Sequence, residues 1–494
     1  MGVIRKQSIQ GTIFLYMGVV LGFLTQALIL PNYFTLEQNG LVKILGSYAL
    51  IFAQFGSLGL LPLAVRSYPW FKENPTQRNR FYTTLVAISL IGATLATFVF
   101  LGLEQVLARR NPNNNLASQY LPYTVVLIYT IVIFNILDAF MRSLLKSTQG
   151  IFLKEFLQRL VILLGAIGVI GEVFNFHQFV IFFLIAFAVP TLIIGLQLHQ
   201  QGEVTLQRGI LKVNPAQRKE MISVAGISLL AGFSGLGLSH VDSIMLEEMA
   251  GLEITGAYAV AGYFAVLIAI PSRNVFRITM TVIAQAFASQ DLKAIQIIYQ
   301  KSSLNLMIVG GLLLLGLYAN ADNVFAMLPA EYETARPALL TLAFSNFLIM
   351  VGGASAQVIA NSKLYRYNGY FGLGLIVMAI ITNWLFIPIW GAVGAAMASL
   401  VSMFVYKFAK YWILYQRYRF QPFTLNSLWV VLIGCATAVI VYFLPLANSL
   451  VVNIVWVSSI TTVLFLVPIF FLNLSPDLNE IVIKIWYKIR KKPQ

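Results

Sequence analysis

The feature that most constrains this chain is the recurrence of apolar runs about twenty residues long from one end of the sequence to the other. An α-helix needs about 20 apolar residues to cross the hydrocarbon core of a bilayer. Runs bounded by charge, Pro, Asn and Gly fall near 10–31, 42–65, 81–103, 121–141, 157–176, 178–198, 221–246, 254–275, 303–321, 337–360, 369–390, 393–415, 425–446 and 450–472. That makes fourteen spans joined by short connections. The eighth run stays apolar to about Ala288 and is expected to bend there, along the inner surface. Of the 494 residues 59% are hydrophobic and 10% charged, against about 25% charged in a soluble domain. A water-soluble fold is excluded, and the remaining loops are too short to hold a soluble catalytic domain. The expected class is an all-α polytopic membrane protein with about 14 transmembrane helices.

Charge placement tests that count, because one misplaced span would scramble the alternation of loops downstream. With the N-terminus inside, all of the 33 Lys and Arg residues fall on the cytoplasmic side except Lys43, Arg109, Arg110 and Arg336. The outer loops hold Glu247, Glu248, Glu253, Asp322, Glu331 and Glu333. The reading is a multi-pass protein of the cytoplasmic membrane with both ends cytoplasmic and the first apolar run retained as a helix. The net charge of +15 is then mostly topology, and nucleic acid is not expected as a partner. Cys435, the single cysteine, lies in an apolar run and has no second thiol to pair with.

The chain also echoes itself. Arg5-Lys6, Gly46-Ser47-Tyr48-Ala49, Pro62 and Arg66 are matched by Arg218-Lys219, Gly256-Ala257-Tyr258-Ala259, Pro271 and Arg273/Arg277. The offset spans six helices, an even number, so the copies share one orientation. Two parallel, pseudo-symmetric lobes around a central cavity are predicted: an N-terminal lobe over 1–205, a C-terminal lobe over 206–420, and two additional helices with a basic tail over 421–494.

Catalytic signatures are missing. There is no G-x-x-x-x-G-K-[ST] phosphate loop, and His177, His199 and His240 stand apart without metal-ligand spacing. No catalytic residue, metal site or cofactor is predicted. Attention turns to charge inside the spans, where an ionisable residue faces a partner or a cavity. Arg273 and Arg277 lie four apart after Pro271, on one helix face, and Arg66 holds the corresponding place in the first half. Arg is suited to bidentate capture of phosphate or diphosphate, so these three form the candidate diphosphate site; snorkelling to lipid head groups is the alternative. Asp138 stands four residues before Arg142, the spacing of an intrahelical ion pair. Asp242, near the outer end of helix 7, has no cation on its own helix and is a candidate for pairing with another helix or for proton or sodium coupling. Asn135, Gln285, Asn346 and Asn383 would line a cavity or bridge helices.

Several segments resemble a family. RKQSIQGTIFLYMGVVLGFLTQALILPNYF followed by GSYALIFAQFGSLGL, then HVDSIMLEEMAGLEITGAYAVA, PAEYETARPALLTLAFSNF, VIANSKLYRYN and NWLFIPIWGAVGAAMASLVS are similar in order and spacing to the MOP superfamily of multidrug, oligosaccharidyl-lipid and polysaccharide exporters, and within it to Wzx-type O-antigen and capsular polysaccharide flippases. The resemblance implies two lobes, alternating access and an undecaprenyl-diphosphate-linked oligosaccharide moved across a bacterial inner membrane. It also implies a basic cavity, to which Arg66, Arg273 and Arg277 correspond by position. Membrane lipids and polysaccharide polymerase or assembly proteins are the implied partners, and a monomer is expected. Helix 1 carries no acidic residue, unlike the drug-exporting branch. A lipid II flippase and a cation-coupled multidrug exporter stand as the alternatives.

Overall fold

The computed structural model describes residues 2–110, 115–200, 205, 207, 209, 211–445, 447, 449–480 and 484. Among them the chain is helix and turn with no strand. The expected spans fall on α1 (Gly2–Phe23), α2 (Leu36–Gly56), α3 (Pro75–Arg110), α4 (Thr124–Ser143), α5 (Gln158–Ile170), α6 (Phe176–Gln200), α7 (Pro215–Ala250), α8 (Leu252–Val266) and α9 (Leu292–Ala319). They continue with α10 (Arg336–Val351), α11 and α12 within Arg366–Tyr418, α13 (Leu425–Tyr442) and α14 (Leu450–Phe471).

Ten helices of the described chain are long and apolar enough to cross a membrane, and α2 with Leu60–Trp70 makes a further span bent by 48°. The stretch Arg366–Tyr418 divides at Gly391, whose φ of 53° and ψ of −124° leave the helical region. Glycine carries no Cβ to oppose that conformation, and the break falls between the two spans expected there. About fourteen helices fit this arrangement, with several boundaries moved: the second span breaks after Gly56 and the tenth ends at Val351. α5 stops at Ile170 rather than near 176, because Phe174 folds back on Gly168, its N–H bonding the Gly168 carbonyl at 3.0 Å, and a turn precedes α6. The eighth run passes through a 3-10 turn at Leu267–Ala269 into Ile270–Ala288, with Pro271 in its first turn.

Local signals start the helices. Thr35 and Gln38 form a reciprocal capping box before α2, and Asn214 with Gln217 does the same before α7, which opens on Pro215. The chain packs as two compact units, 1–260 with 379–392, and 261–378 with 393–494. These cut the sequence elsewhere than the repeat does. By packing, α7 joins α1–α6, while α13 and α14 share a core with α9 through Met307, Ile308, Val430 and Phe465.

In the first unit the core runs through Tyr48, Phe52, Phe100, Ile128, Val132 and Phe179. Apolar packing alone gives little preference between protein and lipid, so helices associate where small residues let backbones approach. A Cβ on Gly40 of α2 would run into the Leu252 carbonyl of α8, and one on Gly256 into the Leu36 carbonyl, so α2 and α8 meet backbone to backbone. Gly59, at φ 70°, sits against the Ala225 carbonyl of α7. In the second unit Tyr299, Val358, Ile359 and Leu414 form another cluster. Phe98, Leu192, Trp384 and Phe471, each at least 64% exposed, present the apolar outer surface expected of a chain solvated by lipid.

Candidate functional site

A buried polar cluster lies inside the first unit. Once its N-terminus is capped, α2 places Lys43 and Ser47 four residues apart, on one face. α7 contributes His240, Asp242 and Glu247, α8 contributes Tyr258, and the 379–392 segment contributes Asn383. Asp242 is fully buried. Its Oδ1 accepts from Asn383 Nδ2 at 2.7 Å and its Oδ2 from the Tyr258 hydroxyl at 3.1 Å. The Lys43 ammonium acts on it electrostatically. His240 Nδ1 lies 3.0 Å from Ser47 Oγ, and Glu247, 5% exposed, follows Asp242 on the same helix.

A carboxylate this deep is tolerated only when paired and hydrogen-bonded. Here an amide and a phenol from two other segments meet it, and the Lys43 ammonium on a third acts on it electrostatically. Asn383 Nδ2 also donates to the Ala379 carbonyl at 2.9 Å, while its Oδ1 is buried without a hydrogen-bond partner among the described residues. The cluster can therefore exchange a proton or a cation among closely spaced oxygen and nitrogen groups, or lock its helices together.

The other candidates are distributed differently. Arg66 belongs to the first unit and Arg273 and Arg277 to the second. Arg66 Nη2 bonds Glu220 Oε1 on α7 at 2.7 Å, with side chains 62% and 42% exposed. Arg273 and Arg277 are both exposed on the Ile270–Ala288 segment and make no hydrogen bond or ion pair among the described residues. Asp138 and Arg142 form the i,i+4 ion pair that their spacing suggests, at 3.1 Å. Gly150 approaches Asp138 so closely that a Cβ there would strike the carboxylate, so the pair also fixes the turn leading to α5.

Three further charged features escaped the sequence reading because each basic residue was absorbed into topology. Lys43, assigned to the outer side, lies within α2, where its charge acts on Asp242. Arg159 pairs with Glu155 at 2.8 Å and donates to the Gly18 carbonyl of α1 at 2.6 Å; their i,i+4 spacing was the available signal. Lys407 donates to the Ile349 carbonyl at the end of α10, at 3.0 Å, and Lys410, 3% exposed, lies 4.1 Å from the centre of the Tyr406 ring. No group of His, Cys, Asp and Glu among the described residues has the arrangement of a metal site.

No protein-family profile matches the sequence, and neither does any curated protein. Solved structures do match. The chain is similar to the lipid II flippase MurJ in an inward closed conformation at 13% identity and TM-score 0.67, over 92% of this chain and 98% of that one. It is similar to an inward-facing multidrug resistance MATE family transporter of the MOP superfamily at 15% identity and TM-score 0.61, over 81% and 97%. A MATE protein in the straight conformation matches at 16% identity and TM-score 0.55, over 83% and 94%. The MurJ match, at 92% and 98%, extends over nearly the whole order of helices, while the MATE matches leave about a fifth of this chain uncovered. The chain is thus a multi-pass membrane protein with the fold shared by the MurJ and MATE transporters.

Proposed function

We propose that this protein is a flippase that carries a prenyl-diphosphate-linked oligosaccharide across a bacterial inner membrane by alternating access, its ends cytoplasmic. The observation that carries this reading is the pair Arg273 and Arg277: exposed, four residues apart on one apolar segment, and without a carboxylate partner among the described residues. Two guanidinium groups so placed suit a diphosphate. Arg66, which pairs with Glu220 in the first unit, is proposed as a further diphosphate contact. The 92% overlap with a lipid II flippase fold supports a lipid-linked cargo and keeps lipid II as the second reading. A drug exporter is less favoured, because α1 holds no acidic residue.

Asp242 is the proposed coupling residue, exchanging its Lys43 pairing for a proton or a sodium ion during the cycle; Asp138 and Arg142 are proposed to line the path. The deciding experiment is flipping of a fluorescent prenyl-diphosphate oligosaccharide in proteoliposomes, with lipid II as competitor. Charge-assisted contacts are worth about 1.5–3 kcal/mol each, so Arg273→Ala with Arg277→Ala should slow flipping at least ~10-fold. Unchanged flipping rejects the diphosphate role. Preferential transport of lipid II selects the second reading, and an Asp242→Asn variant that keeps its full pH and sodium dependence rejects the coupling role.

A further inference from the structure

A cavity of about 310 Å³ opens in the first unit between α1, the turn that follows α4, and α6. Phe14 comes from α1, Lys146 from the turn, Gln149 and Phe152 from the helical stretch that follows it, and Gln197 from α6. The turn is fixed locally. α4 ends at Ser143, Leu145 takes a φ of 60°, and the Lys146 N–H returns to the Met141 carbonyl at 2.9 Å. The polypeptide then re-enters a helix that passes through a π-turn at Phe152–Leu157, a distortion enriched at functional sites.

What distinguishes the cavity is its unmet hydrogen bonding. Gln149 Oε1, Gln197 Oε1 and Thr148 Oγ1 are buried, and none has a hydrogen-bond partner among the described residues. Buried polar atoms are nearly always partnered, and three on one cavity point to something that fills it. Two are amide oxygens that only accept, so the occupant must donate, as a hydroxyl does. Lys146 adds a cation to the lining, which favours an anion and disfavours an ammonium. Phe14 and Phe152 meet edge to face at 4.9 Å and supply an apolar wall for C–H groups. The nearest acid on α4, Asp138, is engaged by Arg142. The volume is at the small end for a ligand site, enough for one head group and too small for an oligosaccharide.

We infer that this cavity binds a phosphate that carries a hydroxylated group, its hydroxyls donating to Gln149 and Gln197 and its phosphate facing Lys146. The chemistry is shared by the phosphatidylglycerol head group of a bilayer and by soluble glycerol phosphate. It is independent of whether the protein is a flippase.

The test compares full-length protein in phosphatidylcholine nanodiscs with and without added phosphatidylglycerol, and with glycerol phosphate in the buffer, by melting temperature. A bound ligand stabilises the folded form, so one probe should raise the wild-type value by about 3 °C. The Gln149→Leu, Gln197→Leu double variant removes two unpartnered polar atoms, so it should fold at least as well without ligand. It keeps every surface charge, and the shift should vanish. Native mass spectrometry should show its retained phosphatidylglycerol, relative to phosphatidylcholine, reduced at least ~3-fold. A response to phosphatidylglycerol alone assigns the site to lipid, and one to glycerol phosphate alone to a soluble ligand; both support the site. No wild-type shift with either probe, or a shift of equal size in the double variant, overturns it.

Discussion

Asn383 donates a 2.7 Å hydrogen bond to Oδ1 of Asp242 across 141 residues of sequence, joining the 379–392 segment to the middle of the first unit. Together with Tyr258 and the Lys43 charge it converts an isolated acid on an apolar helix into a compensated network. Removing one member leaves another buried without its complement, which is costlier than removing both.

This asymmetry gives the first expected outcome. Asp242→Asn leaves Lys43 without its opposing charge, and Lys43→Met leaves Asp242 so, and each should destabilise the protein by about 3 kcal/mol. The double variant should recover part of the loss. A double-mutant cycle by thermal or denaturant unfolding in nanodiscs reads the coupling directly. Strict additivity would show that Lys43 and Asp242 do not interact.

Backbone contact between α2 and α8 sets a second. Gly256→Val must push a side chain into the Leu36 carbonyl, and Gly40→Leu into that of Leu252. Overpacking of this kind costs about 1–3 kcal/mol or more. Gly46, with nothing within 4 Å of its Cβ position, is the control: Gly46→Ala should leave the melting temperature unchanged or raise it, since alanine is the better helix former.

The arginines should separate by function rather than stability. The Arg66–Glu220 pair is 62% and 42% exposed, so Arg66→Ala should change stability by less than about 1 kcal/mol. Arg273→Ala with Arg277→Ala breaks no contact among the described residues, so melting should be unchanged while flipping falls. A melting temperature that falls with activity would make these two residues structural.

Asp477 gives a pH dependence outside the spans. It accepts from Lys301 Nζ at 2.7 Å and Asn305 Nδ2 at 3.2 Å, and the Lys301 bond holds its carboxyl below the usual carboxylate range. A depressed folded value means that the stabilisation is present above the unfolded value of about 3.9 and is lost as pH falls through the folded one. The pair is partly exposed, so the effect should stay under about 1 kcal/mol. The difference in melting temperature between wild type and Asp477→Asn should be measurable near pH ~6 and absent near pH ~3. A difference that persists in acid would exclude this origin.

The number of spans was legible in the sequence because lipid leaves few options: each crossing needs its own apolar run, and its hydrogen bonds close within the helix. Gly391, Pro215 and the Thr35 and Asn214 caps act locally, so the breaks and starts they impose could be read without knowing any neighbour. The Asp138–Arg142 pair was legible for the same reason, since both partners sit on one helix. Hydropathy carries much less about rotation, because a helix apolar all round has no preferred inner face. Lys43 therefore read as an outer charge, and Asp242 as an acid lacking a cation. Only the close approach of α2 and α8 at Gly40 and Gly256 and the packing of α7 against α2 brought Tyr258 and Asn383 onto Asp242 and the Lys43 charge within its influence. Tertiary structure made that choice because burying a charge demands a partner without specifying which distant helix supplies it.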